Sequence, residues 1–147
     1  MKFPALLLTS CLALPPSAAL ADVAGIKDGE QMSREISPQV IDISTQDLRH
    51  EIERNPDLVL IDIRTPGEVA GMSGAIKAMQ NVNSPRGWLE FRVTSHAQNK
   101  DTPIVVYCGG NIRSPLAAYT LKQMGYRNVR NYADGFISWR NEGLPVE

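Results

Sequence analysis

Cysteine and histidine are almost missing from this chain of 147 residues, which holds two of each. Two cysteines exclude a disulfide-stapled scaffold and a four-cysteine zinc site, so thiol chemistry has to rest on a single sulfur. There is no Cys-x-x-Cys pair for dithiol redox exchange, no Gly-x-Gly-x-x-Gly turn for a dinucleotide and no Gly-x-x-x-x-Gly-Lys loop for a nucleoside triphosphate. His50 and His96 stand far apart and read as polar helix-face residues, and Met32, Met72, Met79 and Met124 form no close metal-binding run. No metal and no organic cofactor is therefore expected. An excess of one charge is lacking too: 15 basic against 16 acidic side chains leave a formal charge of −1. That removes the positive field by which a protein holds nucleic acid or an anionic bilayer. Repeats and low-complexity tracts are absent, and a composition of 43% hydrophobic and 21% charged residues is that of one globular domain.

What is present begins with an address. Lys2 precedes an apolar stretch from Phe3 to Leu14, which closes on Ala19-Leu20-Ala21, the pattern of a cleaved signal peptide over residues 1–21. The stretch falls short of the ~20 residues that span a bilayer. A lipoprotein box, Leu8-Thr9-Ser10-Cys11, competes, but it leaves only a short apolar region before the cysteine. The expectation is an exported, periplasmic protein that starts at Asp22, is free of the membrane after cleavage and keeps one cysteine, Cys108.

Residues 22–35 read as a polar N-terminal extension without sustained periodicity, and residues 36–147 as a single domain. Ser44 and Asp47 cap a short helix over 45–54. Leu58-Val59-Leu60-Ile61 and Ile104-Val105-Val106-Tyr107 are uninterrupted apolar runs, the mark of strands buried on both faces of a parallel sheet. Thr65, Pro66 and Glu68 form a capping box for a short turn of helix that ends at Gly71. Gly74-Ala75-Ile76 and Asn81-Val82-Asn83 flank a strand-like stretch. Ser84-Pro85 introduces a helix to about Gln98 whose buried side is set by Trp88, Leu89 and Phe91 or Arg92. Leu116, Ala117, Leu121 and Met124 mark the inner side of a helix over 114–124, and Trp139 packs a closing helix over 136–141, after a last strand at Val129. Alternating strands and helices argue an α/β domain with a mainly parallel central sheet flanked by helices on both faces.

The chemistry concentrates in Cys108-Gly109-Gly110-Asn111-Ile112-Arg113-Ser114, which joins the carboxyl end of a buried strand to the start of a helix. Two glycines let the backbone turn its amides inward, and Asn111 tolerates a left-handed conformation. Sulfur at the centre of such a ring, beside the Arg113 guanidinium, is favoured as the thiolate. A free cysteine at a strand end is commonly a small buried hydrophobe. Here a strand, a Gly-Gly loop, an arginine and a helix start converge on it, which favours a reactive thiol. A cation in a first helical turn opposes the helix dipole, an objection that an anion in the loop would remove.

These residues resemble the active-site loop of the rhodanese-like domains, the sulfurtransferases. Leu60-Ile61-Asp62-Ile63-Arg64-Thr65-Pro66 with Glu68 is similar to a second segment of that family, Gly74-Ala75 to a third, and Gly135, Trp139, Gly143, Pro145 and Val146 to its closing segment. Asn111 replaces a frequent glycine, and Gly71-Met72-Ser73 is shorter than the usual connection. The resemblance implies that Cys108 takes sulfane sulfur from a donor such as thiosulfate or mercaptopyruvate, holds it as a persulfide, and passes it to cyanide or a thiol. Gly109, Gly110, Asn111, Ile112, Arg113 and Ser114 would bind the persulfide, and Asp62 and Arg64 would support the loop without being catalytic. The implied partners are a small sulfur-containing anion or thiol and a periplasmic acceptor protein. A persulfide carrier serving a specific protein is the alternative. The related phosphatases and arsenate reductases resemble a loop one residue longer than the four that separate Cys108 from Arg113.

Overall fold

The computed structural model describes residues 25–147, so the expected signal peptide, its cleavage site and Cys11 lie outside the described residues. Five strands form one parallel sheet: β1 (Ile41–Asp42), β2 (Val59–Asp62), β3 (Asn81–Asn83), β4 (Ile104–Tyr107) and β5 (Val129–Asn131), in the order β1-β5-β4-β2-β3. The two apolar runs are β2 and β4, paired side by side with Leu60 opposite Val105 and Ile61 opposite Val106. They occupy the middle of the sheet because only there can both faces of a strand be dry. The period of two then divides the core. Ile61, Ile104 and Val106 pack on one face with Leu89, Val93 and Leu121, while Leu60, Val105 and Tyr107 pack on the other with Leu48, Phe136 and Trp139.

The helices are α1 (Gly29–Ile36), α2 (Thr45–Arg54), α3 (Pro66–Gly71), α4 (Leu89–His96), α5 (Ser114–Gln123) and α6 (Gly135–Asn141). Helices α4 and α5 cover the first face, and α2 and α6 the second. Ser44 caps α2, and Thr65 with Glu68 forms the capping box of α3.

Four local expectations are corrected. The segment read as an extension without periodicity contains α1, opened by a capping box in which Asp28 accepts from the Gln31 amide and Gln31 returns a bond to Asp28. This helix lies against α5 with Ser33 buried. Trp88 and Phe91 do not face the core: they are 55% and 78% exposed, packed edge to face with Arg92 over Trp88. Leu89 is buried as expected, together with Val93 and Ala97, a spacing of four that fixes the helix register and turns Trp88 outward. Only Asn81–Asn83 of the stretch 74–83 joins the sheet, while Ile76 makes an isolated antiparallel bridge to Val146. On α5 the inner side is Ala117, Ala118 and Leu121, with Met124 exposed at its end.

Candidate active site

Strand β4 ends at Tyr107, and the next residue, Cys108, is buried at the carboxyl edge of the sheet with its loop curling over it into α5. Asn111 takes the left-handed conformation, φ 61°, that an asparagine tolerates. Its side-chain oxygen accepts from Asn131 Nδ2 at 2.9 Å and from the Ser114 hydroxyl at 3.5 Å. Asn131, buried at the end of β5, also donates to Asp42 Oδ1 at 2.7 Å. The turn that aims the loop amides is thus fastened to two neighbouring strands.

Burial alone would push the Cys108 thiol up. Backbone N–H groups of Arg113, Ser114 and Gly110 and the Ser114 hydroxyl, whose oxygen accepts from the thiol at 3.6 Å and whose hydrogen can turn from Asn111 to the thiolate, outweigh it and hold the thiol below its ordinary range. Three of these four donors are main-chain groups, fixed in place at no further cost when charge develops on sulfur. The first turn of α5 adds its dipole in the same sense.

Arg113 bonds to the sulfur through its backbone amide, while its guanidinium, near enough for its charge to be felt by Cys108, grips Glu68 through both Nη atoms, at 3.0 and 2.5 Å. Arg113 and the Thr65 amide hold the Glu68 carboxyl at about 2, well below the usual carboxylate range. The pair therefore stays ionised through neutral and mildly acidic conditions. Its contribution is full above the ordinary carboxylate pKa of 4.5 and is lost as pH falls from there towards 2.

Asp62 and Arg64 make a second, fully buried pair beneath the loop. Arg64 Nε donates to Asp62 Oδ1 at 2.9 Å, Nη2 donates to Asp62 Oδ2 and to the Gly74 carbonyl, and the guanidinium lies 4.0 Å from the centre of the Phe136 ring. Neither side chain bonds to the sulfur. Ile112 stands 57% exposed on the rim. Gly109 is tucked beneath Met72 and Ile137.

Residues outside the loop complete the site. The amides of Phe136 and Ile137 donate to the carbonyls of Cys108 and Gly109 at 2.9 and 3.0 Å. This approach requires Gly135, whose φ is 70° and where a Cβ would lie 2.6 Å from the Gly109 oxygen. Gly135→Ala is expected to lose about 1–3 kcal/mol of stability and to loosen the thiol's environment. Gly143→Ala, with the same sign of φ (69°) but open space around it, should cost less. Denaturant titration of both variants isolates the clash with the loop from the backbone strain common to the two.

The model of the rhodanese-like domain matches residues 44–142. The chain belongs to the rhodanese-like domain family. A sulfurtransferase from Allochromatium vinosum is 33% identical over 107 residues, covering 73% of this chain and 94% of its own. The polysulfide-sulfur transferase of Wolinella succinogenes, solved as a homodimer, superposes with a TM-score of 0.70 at 29% identity, covering 79% of this chain and 84% of the other. A Rhodopseudomonas palustris protein of unknown function, described as a possible tyrosine phosphatase, superposes at 0.72 with 28% identity over 92% of this chain and all of its own. The rhodanese-like sheet with its helices is the fold expected from the alternating apolar runs, and single-domain sulfurtransferases are among the relatives. The α1 helix precedes the matched residues. Among the described residues no cluster of His, Cys, Asp or Glu is placed to hold a metal, and no helix is long and apolar enough to cross a membrane.

Proposed function

We propose that this rhodanese-like domain transfers sulfane sulfur through a persulfide on Cys108. The observation that carries the reading is the ring of loop amides around one buried thiol with a depressed pKa. In the first step the thiolate attacks the outer sulfur of a donor: a Cys108 S–S bond forms, the donor's bond to that sulfur breaks, and the electron pair leaves with the donor remnant. In the second, a nucleophile such as cyanide or a thiolate attacks the outer sulfur of the persulfide and releases Cys108 as thiolate. No separate base is needed, since the amides that hold the thiolate can equally hold the terminal sulfur of the persulfide. A phosphatase reading is less well supported, because the loop arginine that would clamp a phosphate is engaged by Glu68.

The reading extends to an exported protein whose acceptor is a small thiol or a periplasmic protein; amino-terminal sequencing of the fractionated protein should find Asp22 first. Intact mass spectrometry tests the chemistry. One sulfur should add to the wild type on incubation with a sulfane donor and leave as thiocyanate on addition of cyanide, and Cys108→Ser should show neither change. Repeated discharge supports an enzyme, while loading with poor discharge to small acceptors supports the carrier alternative. Phosphate-ester hydrolysis that depends on Cys108, without loading, would replace both.

The thiol itself gives an independent check. Iodoacetamide should alkylate Cys108 at a rate that falls as pH drops through a midpoint below that of an ordinary cysteine. Ser114→Ala removes one donor and should move that midpoint upward. An unchanged midpoint would assign the depression to the backbone amides alone.

A further inference from the structure

The two arginines of the site that would attract an anionic donor are already matched. Arg113 is held by Glu68 through two contacts, and Arg64 is buried against Asp62. Glu68 cannot swing aside without undoing its own helix cap, because Oε2 also accepts from the Thr65 amide and hydroxyl at 2.9 and 3.0 Å. The cavity of about 260 Å³ between α1 and the loop, lined by Ser33, Arg34, Asn111 and Ile112, again balances Arg34 with Glu30. Arg140 remains on the rim, anchored through Nη1 to the Met72 carbonyl. The two ion pairs at the loop, Asp62 with Arg64 and Glu68 with Arg113, sum to zero, so the thiolate makes this inner group negative, and the cation without a carboxylate partner is Arg140, exposed on the rim.

The rim is apolar. A methyl group built on Gly109 would lie 3.3 Å from Met72 Cε and 3.8 Å from Ile137 Cδ1, so these two side chains border the loop on one side. Ile137 is 40% exposed, and Ile112 is exposed as well. Exposed isoleucine beside a nucleophile favours a donor that brings carbon to the contact.

We propose that the site loads from an organic hydropersulfide, R–S–SH, in preference to the thiosulfate dianion. This rests on the sulfur-transfer reading of Cys108 and specifies its donor. The thiolate attacks the outer sulfur, the new S–S bond forms as the R–S–S bond breaks, and the pair leaves on R–S⁻. That thiolate takes the proton of the outer sulfur and departs as R–SH, leaving the persulfide anion. With the donor in its protonated form the reacting atoms carry one negative charge at every stage, and no external oxidant or reductant is consumed. Thiosulfate would bring two further charges to a thiolate whose neighbouring arginines are already paired, and would leave as a sulfite dianion.

The test is single-turnover loading of Cys108, followed by intact mass, with cysteine hydropersulfide and with thiosulfate. The wild type should load about tenfold or more faster from the hydropersulfide. Glu68→Gln frees the Arg113 charge. It should raise loading from thiosulfate about tenfold at low ionic strength, a gain that shrinks as salt is added, and change loading from the hydropersulfide by less than about threefold. Equal or faster loading of the wild type from thiosulfate overturns the preference, and so does a donor ratio that Glu68→Gln leaves unchanged. The wild-type ratio needs no variant to fold. Loading from neither donor is a separate result, which overturns sulfur transfer itself.

Discussion

Cys108→Ser is expected to lower the rate of sulfur transfer by at least about 10³-fold, because the step that forms the persulfide has no substitute nucleophile. Cys108 is the free cysteine of the described residues, and serine keeps its volume and its place beneath the loop amides. The variant should fold with nearly wild-type stability, so that loss of loading reports chemistry and not collapse. Thiocyanate formation with cyanide in excess, compared between the two proteins under identical donor concentration, measures the effect. Residual turnover within tenfold of the wild type would move the covalent step away from this sulfur.

Asp62→Ala is expected to produce the largest loss of stability, about 3–5 kcal/mol, by leaving the Arg64 guanidinium buried without its carboxylate. For a domain of this size the midpoint of thermal unfolding should fall by on the order of 10 °C. The Phe136 ring and the Gly74 carbonyl still contact Arg64, but neither supplies a full opposite charge. Replacing both partners, as in Asp62→Ala with Arg64→Met, removes the unpaired charge and should recover part of the loss. If the single and double variants unfold at the same midpoint, the cost lies in packing and not in the stranded cation.

The nucleophile, its loop and the central strands were readable because each depends on neighbours in sequence. Apolar runs of four identify β2 and β4, and Thr65 with Glu68 spells out a helix start within a single turn. The partners of the loop were not readable, for the opposite reason. Glu68 and Arg113 are 45 residues apart, and Asn111 and Asn131 are 20 apart. Arg113 was expected beside the sulfur as a cation; its charge does act on Cys108, but its amide makes the bond, and its guanidinium is matched by a carboxylate that local reading assigned only to a cap. Trp88 misled because aromatic size suggests burial, whereas the spacing of Leu89, Val93 and Ala97 decides which side of the helix turns inward. Helix α1 carried its own signal in Asp28 and Gln31, hidden by the polarity of the segment around it.

Synthesis runs from the amino end, and the clamp on the nucleophile comes late. The carbonyls of Cys108 and Gly109 are taken by Phe136 and Ile137, and the Asn111 turn is fastened by Asn131. A chain that has emerged as far as α5 already contains every residue of the loop, yet none of those three restraints. The amides that stabilise the thiolate are oriented only when β5 and the start of α6 have docked, so an incomplete chain carries an ordinary cysteine. The reactive sulfur thus matures with the last part of the fold, which supplies together the restraints that aim its amides and the burial that shields it.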